Sequence, residues 1–204
     1  MADGPVIQRA SERALRHDFG ISDVLQVVSD ARQETDVPII LFSYFNPLLQ
    51  FGVEKLAREA KSAGVDGILV TDLVPEEANQ FASALGANDL DMIFLIAPTS
   101  TDERLKMVAE RASGFIYAVS RAGITGARDQ MSAEAEQLVR RMRRFSDLPI
   151  AVGFGISTPE HVADVWRYAD AAVVGSAIVS EIEQAQSGDA VMRVGRFARK
   201  LVSK

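Results

Sequence analysis

Two stretches near the C-terminus carry residue types suited to holding a phosphate. In Ile150-Ala151-Val152-Gly153-Phe154-Gly155-Ile156-Ser157 an apolar run ends in glycines and passes into a helix start. In Val173-Val174-Gly175-Ser176-Ala177-Ile178-Val179 the same sequence of events recurs. A glycine turn lets backbone N–H groups approach an anion, and the helix N-terminus that follows adds a partial positive charge. Either turn alone reads equally well as a tight strand-to-helix connection. The two in succession, after the last two strands of a repeating β/α chain, are what a phosphate site on a barrel requires.

Other residues with usable chemistry fall where strands end, the position of active sites in barrels. Asp3 stands in an opening loop beside Gly4-Pro5, Tyr44 and Asn46 follow the first strand, and Asp72 follows Gly67–Thr71. Pro98 and Thr99 follow the third strand; Tyr117 lies in the fourth, with Ser120, Arg121 and Thr125 beyond it. Each has a structural reading beside the functional one. Asp72 reads equally as a brace for its loop, Tyr44 and Tyr117 as core residues whose hydroxyls find a partner, and Asn46-Pro47 as a turn. The loop from Ser120 to Met131 is longer than such a connection needs. Gly123 and Gly126 bracket Thr125 within it, a pattern suited to a lid.

The elements that must position these residues follow a regular rhythm. The chain opens on a loop, a helix at about Val6–His17 and an amphipathic helix from Ile21 to about Gln33. Short apolar runs then predict strands at Val37–Phe42, Gly67–Val70, Met92–Ile96, Phe115–Val119, Leu148–Val152 and Ala171–Val174. A helix follows each, with capping boxes expected at Ser100/Glu103 and Ser157/Glu160, and with Val162, Val165, Trp166 and Ala169 expected to face inward. The run Arg140, Arg141, Arg143, Arg144 reads as a solvated helix face rather than a ligand site. Alternating β and α elements imply a parallel sheet under helical cover. A doubly wound open sheet would carry its glycine fingerprint at the first βα turn. Here the glycines follow the last two strands, which favours a TIM (β/α)8 barrel, present as six βα units and lacking the first two strands. All 204 residues are expected to form one domain.

Composition narrows the function. A net charge of −6 argues against a nucleic-acid or membrane surface, and the absence of cysteine excludes a thiolate nucleophile or a zinc–thiolate site. Two histidines make a multi-histidine metal site unexpected. No apolar run approaches a membrane span, and the N-terminus lacks the pattern of a secretory signal. A cytoplasmic enzyme or binding protein is the expectation.

Six ordered motifs then give the chain a resemblance to the tryptophan synthase alpha chain family over essentially its whole length. They are Ala2-Asp3-Gly4-Pro5-Val6-Ile7-Gln8, Tyr44-Phe45-Asn46-Pro47, Gly64–Leu73, Ser120–Ala127, Gly153–Ser157 and Gly175–Val179. The resemblance implies a lyase of tryptophan biosynthesis that cleaves indole-3-glycerol phosphate to indole and glyceraldehyde 3-phosphate. It implies no cofactor in this chain, with pyridoxal phosphate in a partner beta chain, in an alpha2beta2 assembly. It makes Asp3 the catalytic aspartate, accepting the indole N–H and stabilising positive charge on the ring. Gly153, Phe154, Gly155, Gly175 and Ser176 would hold the phosphate, Tyr44 and Tyr117 would line the substrate pocket, and Thr125 would sit on the lid. The family's second catalytic group, a glutamate ending the preceding strand, would lie upstream of Met1. The expectation is therefore a family member without its N-terminal quarter, binding substrate while releasing indole near background. The rival readings are a non-catalytic remnant that binds the phosphate ligand or the beta chain, and another phosphate-binding barrel such as a sugar-phosphate epimerase.

Overall fold

The computed structural model describes residues 3–119, 128–153, 155–186 and 188–203. Two helices come first: α1 (Pro5–Leu15), with proline at its first position, and α2 (Ile21–Arg32). The strands are β1 (Ile40–Ser43), β2 (Gly67–Val70), β3 (Asp91–Ile96), β4 (Ile116–Val119), β5 (Ile150–Gly153) and β6 (Ala171–Val173). Between them run α3 (Phe45–Phe51), α4 (Val53–Ala63), α5 (Asn79–Gly86), α6 (Asp102–Arg111), α7 (Arg128–Met142) and α8 (Pro159–Val165). After β6 come α9 (Ser176–Glu183) and α10 (Ala190–Val202).

The six strands pair in chain order, β1 to β6, and every pairing is parallel. A doubly wound sheet reverses its strand order at a switch point; this sheet has no reversal, so the chain winds in one direction only. The sheet also curls. Phe42 on β1 and Tyr117 on β4 stack with ring centroids 6.0 Å apart. Strands three positions apart in a flat sheet would be separated by roughly 14 Å, so their inner faces have been folded toward each other.

The alternation of side chains along each strand sorts the core into two layers. Ile68, Val70, Phe94, Ile96, Ile116, Ala118, Ile150 and Val152 face the helices and pack with residues such as Leu56, Phe81, Leu105 and Leu138. The opposite parity, Leu69, Ile93, Tyr117 and Val119, forms a smaller cluster on the concave side with Ile40, Leu95 and Val173 against it. Burial on both faces explains why the central strands β2, β4 and β5 read as unbroken apolar runs.

Four local expectations are revised. The capping side chains are Thr101 and Thr158, each one residue later than expected, accepting the N–H groups of Arg104 and His161. Ser100 instead accepts the N–H of Ala97 through its hydroxyl. Trp166 does not face inward: α8 ends at Val165, and the indole ring one residue on is 48% exposed. Asn46-Pro47 is not a turn but the first turn of α3, where a proline's missing N–H costs nothing.

Candidate active site

The carboxyl ends of the strands gather nearly all of the expected site residues on one rim. Asp3 immediately precedes Gly4, the N-cap of α1, so the start of α1 fixes where its backbone lies. The hydroxyl of Tyr44, just past β1, lies close enough to the Asp3 carboxylate for Asp3 to bear on its titration. Burial first, then the Asp3 side chain and the negative charges of Asp3 and Asp72, hold the phenol above its ordinary value; the Asp3 backbone N–H pulls weakly the other way. Tyr44 therefore stays protonated, as a donor. Asp72, beyond β2, accepts the N–H of Phe45 at 2.7 Å. That bond satisfies an orphan donor at the start of α3 and anchors the residue next to Tyr44. Its role is the brace, one of the two readings its position allowed.

Tyr117 links this side of the rim to the glycine side. Its ring is buried against Phe42, and burial pushes its phenol pKa upward. Its hydroxyl reaches β5, where Gly153 leaves it room: a Cβ there would lie 1.9 Å from the oxygen. Gly155, two residues on, has a φ of +70°, the left-handed region that glycine enters without strain. Gly175 caps α9 and Ser176 is its first residue; both are exposed, leaving the first N–H groups of the helix open to an anion. The glycine turns thus end adjacent, paired strands, β5 and β6. Phe154 and Thr125 lie outside the described residues.

Phe42 was not legible as a site residue. It lay in a run read only as a buried strand, yet it is 59% exposed on the concave face. Its parity in β1, opposite to that of buried Leu41, is the signal that could have found it. A cavity of about 260 Å³ opens at the ends of β2, β3 and β4, lined in part by Thr71, Asp72, Leu95, Thr99 and Val119. Among the described residues no group of acidic or histidine side chains is placed to hold a metal. Arg140, Arg141, Arg143 and Arg144, at the end of α7 and in the turn after it, pair with Glu136, Asp102 and Asp170, as a solvated face does.

Comparison with known proteins places this geometry. The profile described as tryptophan synthase alpha chain matches residues 1–201. The tryptophan synthase alpha chain of Solibacter usitatus is 46% identical over 202 residues, spanning 98% of this chain and 76% of that one. A structure of the tryptophan synthase a2b2 complex from Pyrococcus furiosus superposes with a TM-score of 0.91 at 37% identity, covering 99% of this chain and 82% of that one. The tryptophan synthase subunit alpha of Legionella pneumophila gives 0.88 at 37% identity, covering 98% and 74%.

Proposed function

The chain belongs to the tryptophan synthase alpha chain family, and from that premise we propose that its rim binds indole-3-glycerol phosphate, with the phosphate at β5 and β6 and the indole between Asp3 and Tyr117. The family is a lyase family with a TIM-barrel fold and no cofactor of its own. The observation that carries the site assignment is the pair of glycine turns ending adjacent strands, on the same rim as the neighbouring Asp3 and Tyr44.

In this reading the backbone N–H groups of Gly153, Phe154, Gly155, Gly175 and Ser176 cradle the phosphate, with α9 aimed at it. The indole ring lies on the apolar concave face beside Phe42 and Tyr117. Asp3 accepts the indole N–H, oriented by Tyr44. Protonation of the C3 carbon puts positive charge on the indole nitrogen; as the bond to the glycerol carbon then breaks, its electron pair returns to the ring and neutralises that charge, while the glycerol hydroxyl gives its proton to a base and becomes the aldehyde carbonyl. A fixed carboxylate at that nitrogen stabilises the charge more in the transition state than in the ground state. The proton donor to C3 is, in the family, a glutamate whose position precedes residue 1.

The whole chain acts as one domain in the cytoplasm, the setting that supplies phosphorylated biosynthetic intermediates. Its partner is the beta chain, which would hold pyridoxal phosphate and receive the released indole; similarity to a chain of the Pyrococcus furiosus a2b2 complex supports this. No helix among the described residues is long and apolar enough to cross a membrane.

Calorimetric titration with glycerol 3-phosphate tests the cradle. Binding by the parent chain and none by Gly175→Asp or Ser176→Asp is the expected result, since a carboxylate would occupy the anion's place. Equal binding by either variant would overturn the assignment.

A further inference from the structure

The helix that carries Asp3 is poorly anchored by packing. α1 has no buried residue, and only Val6, Ile7 and Ala10 are even half-buried. Its neighbour is α9, the helix whose N-terminus opens the phosphate cradle. The two lie far apart in sequence; they pack against each other, and ion pairs to one carboxylate join them. Arg9 grips Glu183 with both ends of its fork, Nε to Oε1 and a terminal nitrogen to Oε2, each at 2.7 Å. Arg13, one turn further along α1, reaches the same Oε1 at 2.9 Å.

An isolated exposed ion pair contributes little. This arrangement is different in kind, because two arginines from one helix converge on one residue, one of them with the two parallel bonds that fix orientation. Arg9 lies about 6 Å along α1 from its start, and Glu183 about 10 Å along α9 from Ser176, at 1.5 Å per residue. Both helices are short and rigid over those distances. Movement of α9 about its N-terminus is therefore delivered to α1, and through α1 to the loop that holds Asp3.

We propose that Glu183 is a positioning residue that ties the Asp3 loop to the phosphate-binding helix, so that capture of phosphate at Gly175 and Ser176 steadies Asp3. The inference rests on the assignment of the phosphate cradle given above. It assigns Arg9 and Arg13 the same role from the other side. Such a link is reciprocal: whatever steadies α1 also favours phosphate binding by the same factor.

The test uses the full chain, glycerol 3-phosphate as the probe, and hydrogen exchange of the α1 amides as the readout. A residue that merely adds stability would change α1 exchange equally with and without ligand. In the parent, saturating ligand is expected to slow α1 exchange by about threefold or more, as a locally opening helix is held closed. Glu183→Gln is expected to bind glycerol 3-phosphate within about threefold of the parent, a coupling of well under 1 kcal/mol, and to show no ligand-dependent slowing. The charge-exchanged chain, Glu183→Arg with Arg9→Glu and Arg13→Glu, is expected to recover the slowing. Binding without any slowing in the parent, slowing retained in Glu183→Gln, or no recovery in the exchanged chain would each overturn the clamp while leaving the cradle intact. A parent that failed to bind the probe would overturn the cradle and the clamp together.

Discussion

The hydroxyl of Tyr117 occupies the space that a side chain on Gly153 would need: a Cβ there would stand 1.9 Å from the oxygen and 2.5 Å from the ring carbon bearing it. Residue types on two adjacent strands are therefore chosen together, and both touch the proposed substrate. Gly153→Ala is expected to displace the ring, destabilising the fold by about 1–3 kcal/mol as overpacking does and weakening glycerol 3-phosphate binding. Thermal melts and titration check this. Tyr117→Phe in the Gly153→Ala background removes the closest atom and is expected to restore part of the stability.

Tyr44→Phe removes the donor that orients Asp3 without changing the ring. The expected outcome is weaker binding of indole-3-glycerol phosphate with unchanged binding of glycerol 3-phosphate, since only the indole end of the ligand depends on Asp3. Equal loss for both ligands would place Tyr44 at the phosphate instead.

Asp3→Asn keeps size and polarity but discards the charge. In a chain extended to the family's full length, indole release is expected to fall on the order of a hundredfold, the usual cost of losing one preorganised electrostatic group. Full activity would remove Asp3 from the mechanism.

The clamp has its own signature in acid. The hydrogen bond from Arg9, then Arg13 and the charges of both arginines, hold the Glu183 carboxyl down at about 2, below its unfolded value of 4.5. A lowered folded value means that the stabilisation is present in full above pH 4.5 and is lost as pH falls toward 2. The Glu183 carboxyl carbon resonance is expected to titrate near pH 2 in the parent and to return toward 4.5 when Arg9 and Arg13 are both replaced by glutamine.

Much of this molecule was legible from its residues because the central strands are buried on both faces and read as continuous apolar runs. The order of strands followed from the placement of glycines: Gly153 and Gly175 come after the last two strands, which favoured a barrel over a doubly wound sheet. What escaped notice depends on contacts between distant residues. α3 was hidden because Pro47 reads as a turn, and the bond that anchors its start comes from Asp72, more than twenty residues away. The caps slipped by one residue because serine and threonine stand side by side at both sites, and local spacing does not say which oxygen faces the helix. The pairing of Arg9 with Glu183 spans 174 positions and has no local signal at all.

The proposed site holds one ligand at two ends, and titration of indole-3-glycerol phosphate alongside glycerol 3-phosphate tests both ends directly. The parent is expected to bind the indole ligand more tightly than the glycerol ligand. Gly175→Asp is expected to abolish both. Asp3→Ala is expected to keep glycerol 3-phosphate affinity and to lose roughly tenfold or more on the indole ligand, the loss of one charge-assisted hydrogen bond of about 1.5–3 kcal/mol. Undiminished binding of indole-3-glycerol phosphate by the Gly175→Asp chain would contradict the account.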